Sequence, residues 1–223
     1  MKFCVIGLGQ FGEHLAVELQ KEGHEVLALD HQGDRVEAIK DAVSLAARMD
    51  ASDVKALQGM GLKDMDAVIV SIGEDFAASL MITAHLQKMG VPQIYCRVIN
   101  EVHDHLLNLM EVKEKIRPEA MAARQLAKRL GISRATRHFG LENGFAIVEL
   151  PVPKFFLGKK LSELDMRGKY GFNLITVKRL DSGKDGAAEV LGVPSPEFTF
   201  SEHDLMILFG RESAIQSFSR KAD

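Results

Sequence analysis

The first thirty residues limit the fold more than any other stretch. Phe3–Ile6 is a short uninterrupted apolar run that ends in Gly-Leu-Gly-Gln-Phe-Gly, residues 7–12. A second apolar run, Val26–Leu29, closes on Asp30. Strand, glycine turn, amphipathic helix, strand and acid together describe a crossover unit, whose two strands pair in parallel. Gly7 permits the tight turn out of the strand, Gly9 lets backbone approach a diphosphate, and Gly12 lets the helix pack closely on the sheet. The helix beginning near Gln10 offers unpaired N–H groups and a partial positive charge to phosphate. Asp30 is placed to accept both hydroxyls of an adenosine ribose, each hydrogen bond to its charge contributing about 1.5–3 kcal/mol. Its charge repels a 2′-phosphate, which disfavours NADP.

The same alternation continues for about 130 residues, with further strands expected at Val43–Ala46, Ala67–Val70, Ile94–Val98 and Lys115–Ile116. Strands without a polar face imply a parallel sheet covered by helices on both sides. The fold class is therefore α/β, a Rossmann-like doubly wound sheet, followed by a small α+β domain. A helix is expected from Pro118, suited to a first turn, to Leu130, where Gly131 stops it. Residues 1–132 are assigned to the first domain, 133–144 to a linker and 145–223 to the second domain. There the strands are expected at Phe145–Leu150, Leu174–Lys178 and Leu205–Phe209, with helices near Leu157–Met166 and from Glu212 onward. Asp181–Gly186 (DSGKDG) has the composition of a turn between strands.

Composition narrows the functions. A net charge of −3 argues against nucleic acid as the main partner, since phosphate neutralisation calls for a basic face. No run approaches the eighteen or so apolar residues of a membrane span. Cys4 and Cys96 lie in apolar strands and are expected as small buried hydrophobes in a reducing, cytoplasmic compartment. Three more strand ends face the expected crevice: Met49–Ser52, Ser71–Asp75 and Arg97, where a cation meets phosphate. CxxC, HExxH and GxSxG are absent from the sequence. His103 and His105, at i,i+2 spacing, do not share a helical face and are expected at the surface. A glycine loop without visible acid/base groups leaves three readings: a regulatory nucleotide-binding subunit, an NAD-dependent oxidoreductase, or a free-standing nucleotide sensor.

With these motifs in order, VIGLGQFG, GHEVLALD, the block from Asp66 to Asn100, the RPE at Arg117–Glu119, KYGFNLITVKR and FSEHDLMILFG, the chain resembles the cytosolic RCK (regulator of K⁺ conductance) subunits of Trk/Ktr potassium transporters, the Ktr type most of all. The resemblance implies a nucleotide-binding domain and a smaller ligand-sensing domain. It implies homodimers assembled into an octameric ring beneath a membrane-embedded K⁺ transporter subunit, at the inner face of the membrane and without insertion. In the Ktr type, exchange of ATP against ADP changes dimer geometry and gates the pore. By position, Gly7, Gly9, Gln10, Phe11 and Gly12 hold phosphates. Asp30, His31 and Gln32 line ribose and adenine, with Asp50, Ala51, Ser71, Ile72 and Gly73 around the nucleoside. Arg97 meets phosphate, and Glu119 faces the terminal phosphates across the dimer, through a divalent cation as its metal ligand. Cyclic di-AMP is a family ligand of the second domain.

One departure stands out. Many Ktr-type relatives carry Arg where this chain has Gln10, which supplies no charge, so binding of ADP or NAD(H), as in the Trk type, competes with ATP. Moving a two-state equilibrium from 1:99 to 99:1 takes about 5.5 kcal/mol of differential affinity, more than one charge-assisted contact of about 1.5–3 kcal/mol provides. Coupled sites in a ring supply it. The helix from Phe76, with Ala77, Ala78, Leu80, Met81, Ile82, Ala84 and Leu86, is apolar around most of its circumference, as expected for burial by its own sheet and by a neighbouring subunit or further elements of the same chain.

Overall fold

The computed structural model describes residues 1–180 and 188–221. It divides into two compact units, Met1–Glu119 and Ala120–Asp223. In the first, strands β1 (Lys2–Ile6), β2 (Glu25–Asp30), β3 (Leu45–Arg48), β4 (Ala67–Val70), β5 (Ile94–Arg97) and β6 (Glu114–Ile116) form one sheet in the order β3-β2-β1-β4-β5-β6. Every pairing is parallel. The helices between them are α1 (Gln10–Lys21), α2 (Gly33–Ile39), α3 (Val54–Gln58), α4 (Phe76–Lys88) and α5 (Glu101–Leu109). Alternate residues of β1 enter different cores. Cys4 and Ile6 belong to one with Ile82, Leu86 and Cys96, and Val5 belongs to another with Ala16 and Ala28. Burial on both faces is why these strands have no polar side.

The second unit is antiparallel. Strands β7 (Arg137–Gly140), β8 (Phe145–Pro151), β9 (Phe172–Leu180), β10 (Ala188–Val190) and β11 (Asp204–Arg211) are ordered β10-β9-β11-β8-β7. Helix α6 (Pro118–Leu130) starts at the division between the units, and α7 (Leu161–Leu164) and α8 (Glu212–Lys221) follow. Ala146, Val148 and Leu150 of β8 alternate into a core shared with Met206, Leu208 and Ile215. Phe156, Tyr170, Phe172 and Phe218 add ring contacts with centroids 4.9 to 5.7 Å apart, the edge-on and offset geometries that aromatic quadrupoles favour.

Several expectations change. Segment 133–144, expected as a linker, contains β7, which pairs with β8 through His138↔Val148 and Phe139↔Ile147. Its charged, glycine-ended sequence suits a sheet edge, where polar side chains block further pairing. The division between units falls after Glu119, not after residue 132. Strand β3 begins two residues later than expected, and the helix expected over Leu157–Met166 is reduced to α7 and a turn of π-helix at Met166–Tyr170. Strand β10 has no counterpart among the expected strands, and DSGKDG lies outside the described residues. His103 is not at the surface: it is fully buried, its Nδ1 accepting the Ile99 N–H at 3.2 Å and its ring set edge-on to Phe76. Burial pushes its pKa down, against a smaller opposing effect of Asp104. Helix α4 buries Ser79, Ile82, Thr83 and Leu86, while Ala77, Met81 and Ala84 are exposed, so among the described residues elements of the same chain cover one face of it. Cys4 and Cys96 are buried as expected, and burial pushes both thiols up.

Candidate functional site

The strand order reverses between β1 and β4, and the loops leaving their carboxyl ends part there to open a crevice. Gly7 leaves β1 at φ +95°, in the region that favours glycine, while its N–H still donates to Leu29 O at 2.8 Å. A Cβ on Gly12 would collide with the Gly7 carbonyl oxygen and Ser71 Oγ, so α1 sits against the loop only because position 12 has no side chain. Ser71 Oγ donates to Ile6 O at 3.0 Å and closes the loop from the β4 side. The first turn of α1 follows, with amides that have no partner within the helix.

Asp30 ties the loop to β2. Its Oδ2 accepts the Leu8 N–H at 2.6 Å and its Oδ1 accepts the Gln32 N–H at 2.7 Å. The residue is only 4% exposed. Arg35 Nη1 lies 3.6 Å from Oδ2 and His31 Nδ1 lies 3.3 Å from Oδ1. Asp50, on the far side, accepts the Ser52 hydroxyl at 2.6 Å and the Ser52 N–H at 2.9 Å, and these two bonds hold its carboxyl below the usual range. On the β4–β5 side the Arg97 guanidinium covers Gly73, where a Cβ would come within 2.6 Å of Nη1. Arg97 Nη2 also donates to Glu119 Oε1.

The crevice has a volume of about 710 Å³, within the range of roughly 300–1,000 Å³ usual for small-molecule sites. Of the residues expected from sequence, Gly7, Gly9, Gln10, Asp30, His31, Gln32, Asp50, Ala51, Ser71, Ile72, Gly73 and Arg97 line it. Phe11 and Gly12 do not: Gly12 is buried in the packing of α1, and Phe11 is half-buried. Glu119 touches the site through Arg97 and is not part of the wall. Among the described residues no group of three His, Cys, Asp or Glu side chains converges as a metal centre. Sequence reasoning missed Arg35. On a short helix an arginine reads as a solvent contact, and only the fold bends it back over Asp30 and toward Gly9, 3.8 Å from a Cβ built there.

A glycine loop at the switch point of a parallel sheet, with an acid ending β2, defines a Rossmann-like nucleotide-site architecture. Residues 3–118 match the TrkA-N domain and residues 145–223 the TrkA-C domain, and the chain belongs to this TrkA/Ktr potassium-uptake family. It is 31% identical over 220 residues to Ktr system potassium uptake protein C of Bacillus subtilis, covering 99% of this chain and 96% of that one. Ktr system potassium uptake protein A of the same organism is 28% identical with the same coverage. Among solved structures, the GsuK channel superposes with a TM-score of 0.63 at 18% identity, covering 97% of this chain and 38% of that chain, a likeness of fold. A GsuK channel bound to NAD gives 0.60 at 19% identity and is covered to 39% of its length. The chain thus spans well under half of those channel chains.

Proposed function

We propose that this chain is the nucleotide-sensing regulatory subunit of a potassium uptake system, and that it uses the nucleotide as a signal, not as a reagent. What supports this reading is the assembled crevice, lined by the glycine loop, Asp30 and Arg97, in a chain matched over nearly its full length by Ktr potassium uptake proteins. In this reading ADP or ATP occupies the crevice, with phosphates over Gly7–Gly12 and the ribose at Asp30. A divalent cation joins the terminal phosphates to Glu119 of a second copy. Dimers assemble into an octameric ring at the inner face of the membrane, against a K⁺ transporter subunit, and the second unit senses a further ligand such as cyclic di-AMP.

A second reading, NAD(H) in the same crevice, is favoured by Gln10, which puts no charge beside a terminal phosphate. Calorimetry against ATP, ADP, NAD and NADH, paired with potassium uptake by cells expressing the chain with a membrane subunit, tests both. Adenine-nucleotide binding that alters uptake is the expected result. NADH consumption with a small substrate, or uptake indifferent to the chain, overturns the regulatory reading.

A further inference from the structure

The antiparallel sheet of the second unit has a face that its core does not use. Strand alternation sends Val148, Met206 and Leu208 into the core and turns Ile147, Glu149 and Ile207 to the other side. There the register sets Phe139 against Ile147 and Arg137 against Glu149. Such a face is ordinarily polar and solvated. Here Ile147 and Ile207 are half-buried, and Phe139 is 63% exposed. Ala122, Leu126 and Arg129, spaced to share one side of α6, form the facing wall. The cavity between helix and sheet measures about 740 Å³, within the range of roughly 300–1,000 Å³ usual for small-molecule sites.

Charge is distributed unevenly in this cavity. Its carboxylate, Glu149, is buried and committed: Oε1 accepts the Thr136 hydroxyl at 2.5 Å, and Oε2 lies 3.6 Å from Lys178 Nζ. Lys128, the neighbour of Arg129, is taken up by both oxygens of Glu212. Arg129 and Arg137 have no ion-pair partner among the described residues. Two guanidiniums without a carboxylate therefore flank an apolar floor, in a chain whose net charge is −3.

We propose that this cavity is a binding site for an amphipathic anion, a carboxylate carried on an apolar chain. The head group lies between Arg129 and Arg137, whose planar forks match a carboxylate at two points. The apolar chain lies along Phe139, Ile147, Ile207 and Leu126, and its removal from water supplies the hydrophobic part of the affinity. The two arginines repel a metal cation, and a small inorganic anion gains nothing from the apolar floor. The site is separate from the nucleotide crevice, whose walls all belong to the first unit.

Decanoate, kept below its micelle concentration, is the probe, and calorimetry on the full chain in its assembled state measures it. Saturable binding of decanoate is expected. Arg129→Gln and Arg137→Gln should each weaken it about two- to fivefold, the contribution of a partly exposed charge pair, and together about tenfold. Decanol, with the same chain and no charge, should bind no better than decanoate binds the double variant. Phe139→Ser should weaken decanoate and decanol alike. All of these side chains are exposed, so circular dichroism should show every variant folded. No decanoate binding, or binding indifferent to both arginines, overturns the site. Equal affinity for decanol does so too, because the face is then merely apolar. If Phe139→Ser dissociates the assembly in light scattering and decanoate binds neither form, the face is an interface between copies and the proposal fails. Competitive displacement of decanoate by cyclic di-AMP would make the cavity a cyclic-dinucleotide site and overturn it as well.

Discussion

Two buried aspartates show how differently the units use polar chemistry. Asp30 is 4% exposed and Asp204 fully buried, and each accepts backbone N–H groups: Leu8 and Gln32 for the former, Ser201 at 2.8 Å for the latter. Asp204 is further gripped by Arg179, whose Nε and Nη2 donate at 2.7 and 3.0 Å, a two-point bond that leaves little for a ligand. Asp30 has only the longer approaches of Arg35 and His31, and it stands at the wall of a crevice. The parallel sheet gathers its loops at one end and leaves polar groups there half-committed. The antiparallel unit turns its polar groups inward: Glu149 likewise accepts the Thr136 hydroxyl at 2.5 Å.

The largest expected effect separates packing from binding. Gly12→Val drives a side chain into the Gly7 carbonyl and should destabilise the chain by about 3 kcal/mol or more while abolishing nucleotide binding. Gly210→Val, whose Cβ would come within 2.7 Å of Phe172 Cβ, should cost a similar amount and leave the dissociation constant unchanged wherever the chain is folded. Denaturant unfolding and calorimetry on both variants measure this. Loss of binding in Gly210→Val would break the distinction between the units.

Asp204→Asn comes next, at about 2 kcal/mol, because Arg179 and the Ser201 amide lose a charged acceptor. Burial alone would push the Asp204 carboxyl up, but the Arg179 guanidinium and the Ser201 amide outweigh it and hold the pKa below its ordinary 3.8. Since the folded value is the lower one, the stabilisation is complete above the unfolded pKa and is lost as pH falls through the folded value. Melting temperature measured from about pH 6 to about pH 2 should therefore drop more steeply in the wild type than in Asp204→Asn. Parallel acid limbs would show that the carboxylate contributes nothing to the fold.

Asp30→Ala should weaken adenine-nucleotide affinity about tenfold, about 1.4 kcal/mol. Because the Leu8 and Gln32 N–H groups lose their acceptor as well, a loss of stability of about 1 kcal/mol should accompany it. An unchanged dissociation constant would make Asp30 a purely structural acid like Asp204.

The first unit is legible because its chemistry is written in spacing: three glycines after a strand, and an acid ending the next one, locate the loop, the switch point and the strand ends that wall the crevice. The second is less legible because its defining contacts are long-range. Nothing local marks Arg137–Gly140 as a strand, since its edge position, not its propensity, decides it. His103 is misplaced by sequence for the same reason: its spacing on α5 carries no hint that Phe76 and the Ile99 amide close around it.

Arg35 gives the smallest and most discriminating effect. Its guanidinium lies between Asp30 and the space above Gly9, so in the proposed function it is expected to supply from α2 part of the charge that Gln10 does not supply from α1. Being partly exposed, it is expected to contribute less than a buried contact, about 0.5–1 kcal/mol. Arg35→Gln should thus lower ADP affinity two- to fivefold, leave adenosine unaffected, and lose its effect as salt rises, because screening weakens exposed charge pairs. Equal losses for ADP and adenosine would mean that Arg35 acts only by holding Asp30, and the first unit would then use its rim arginine as the second unit uses Arg179.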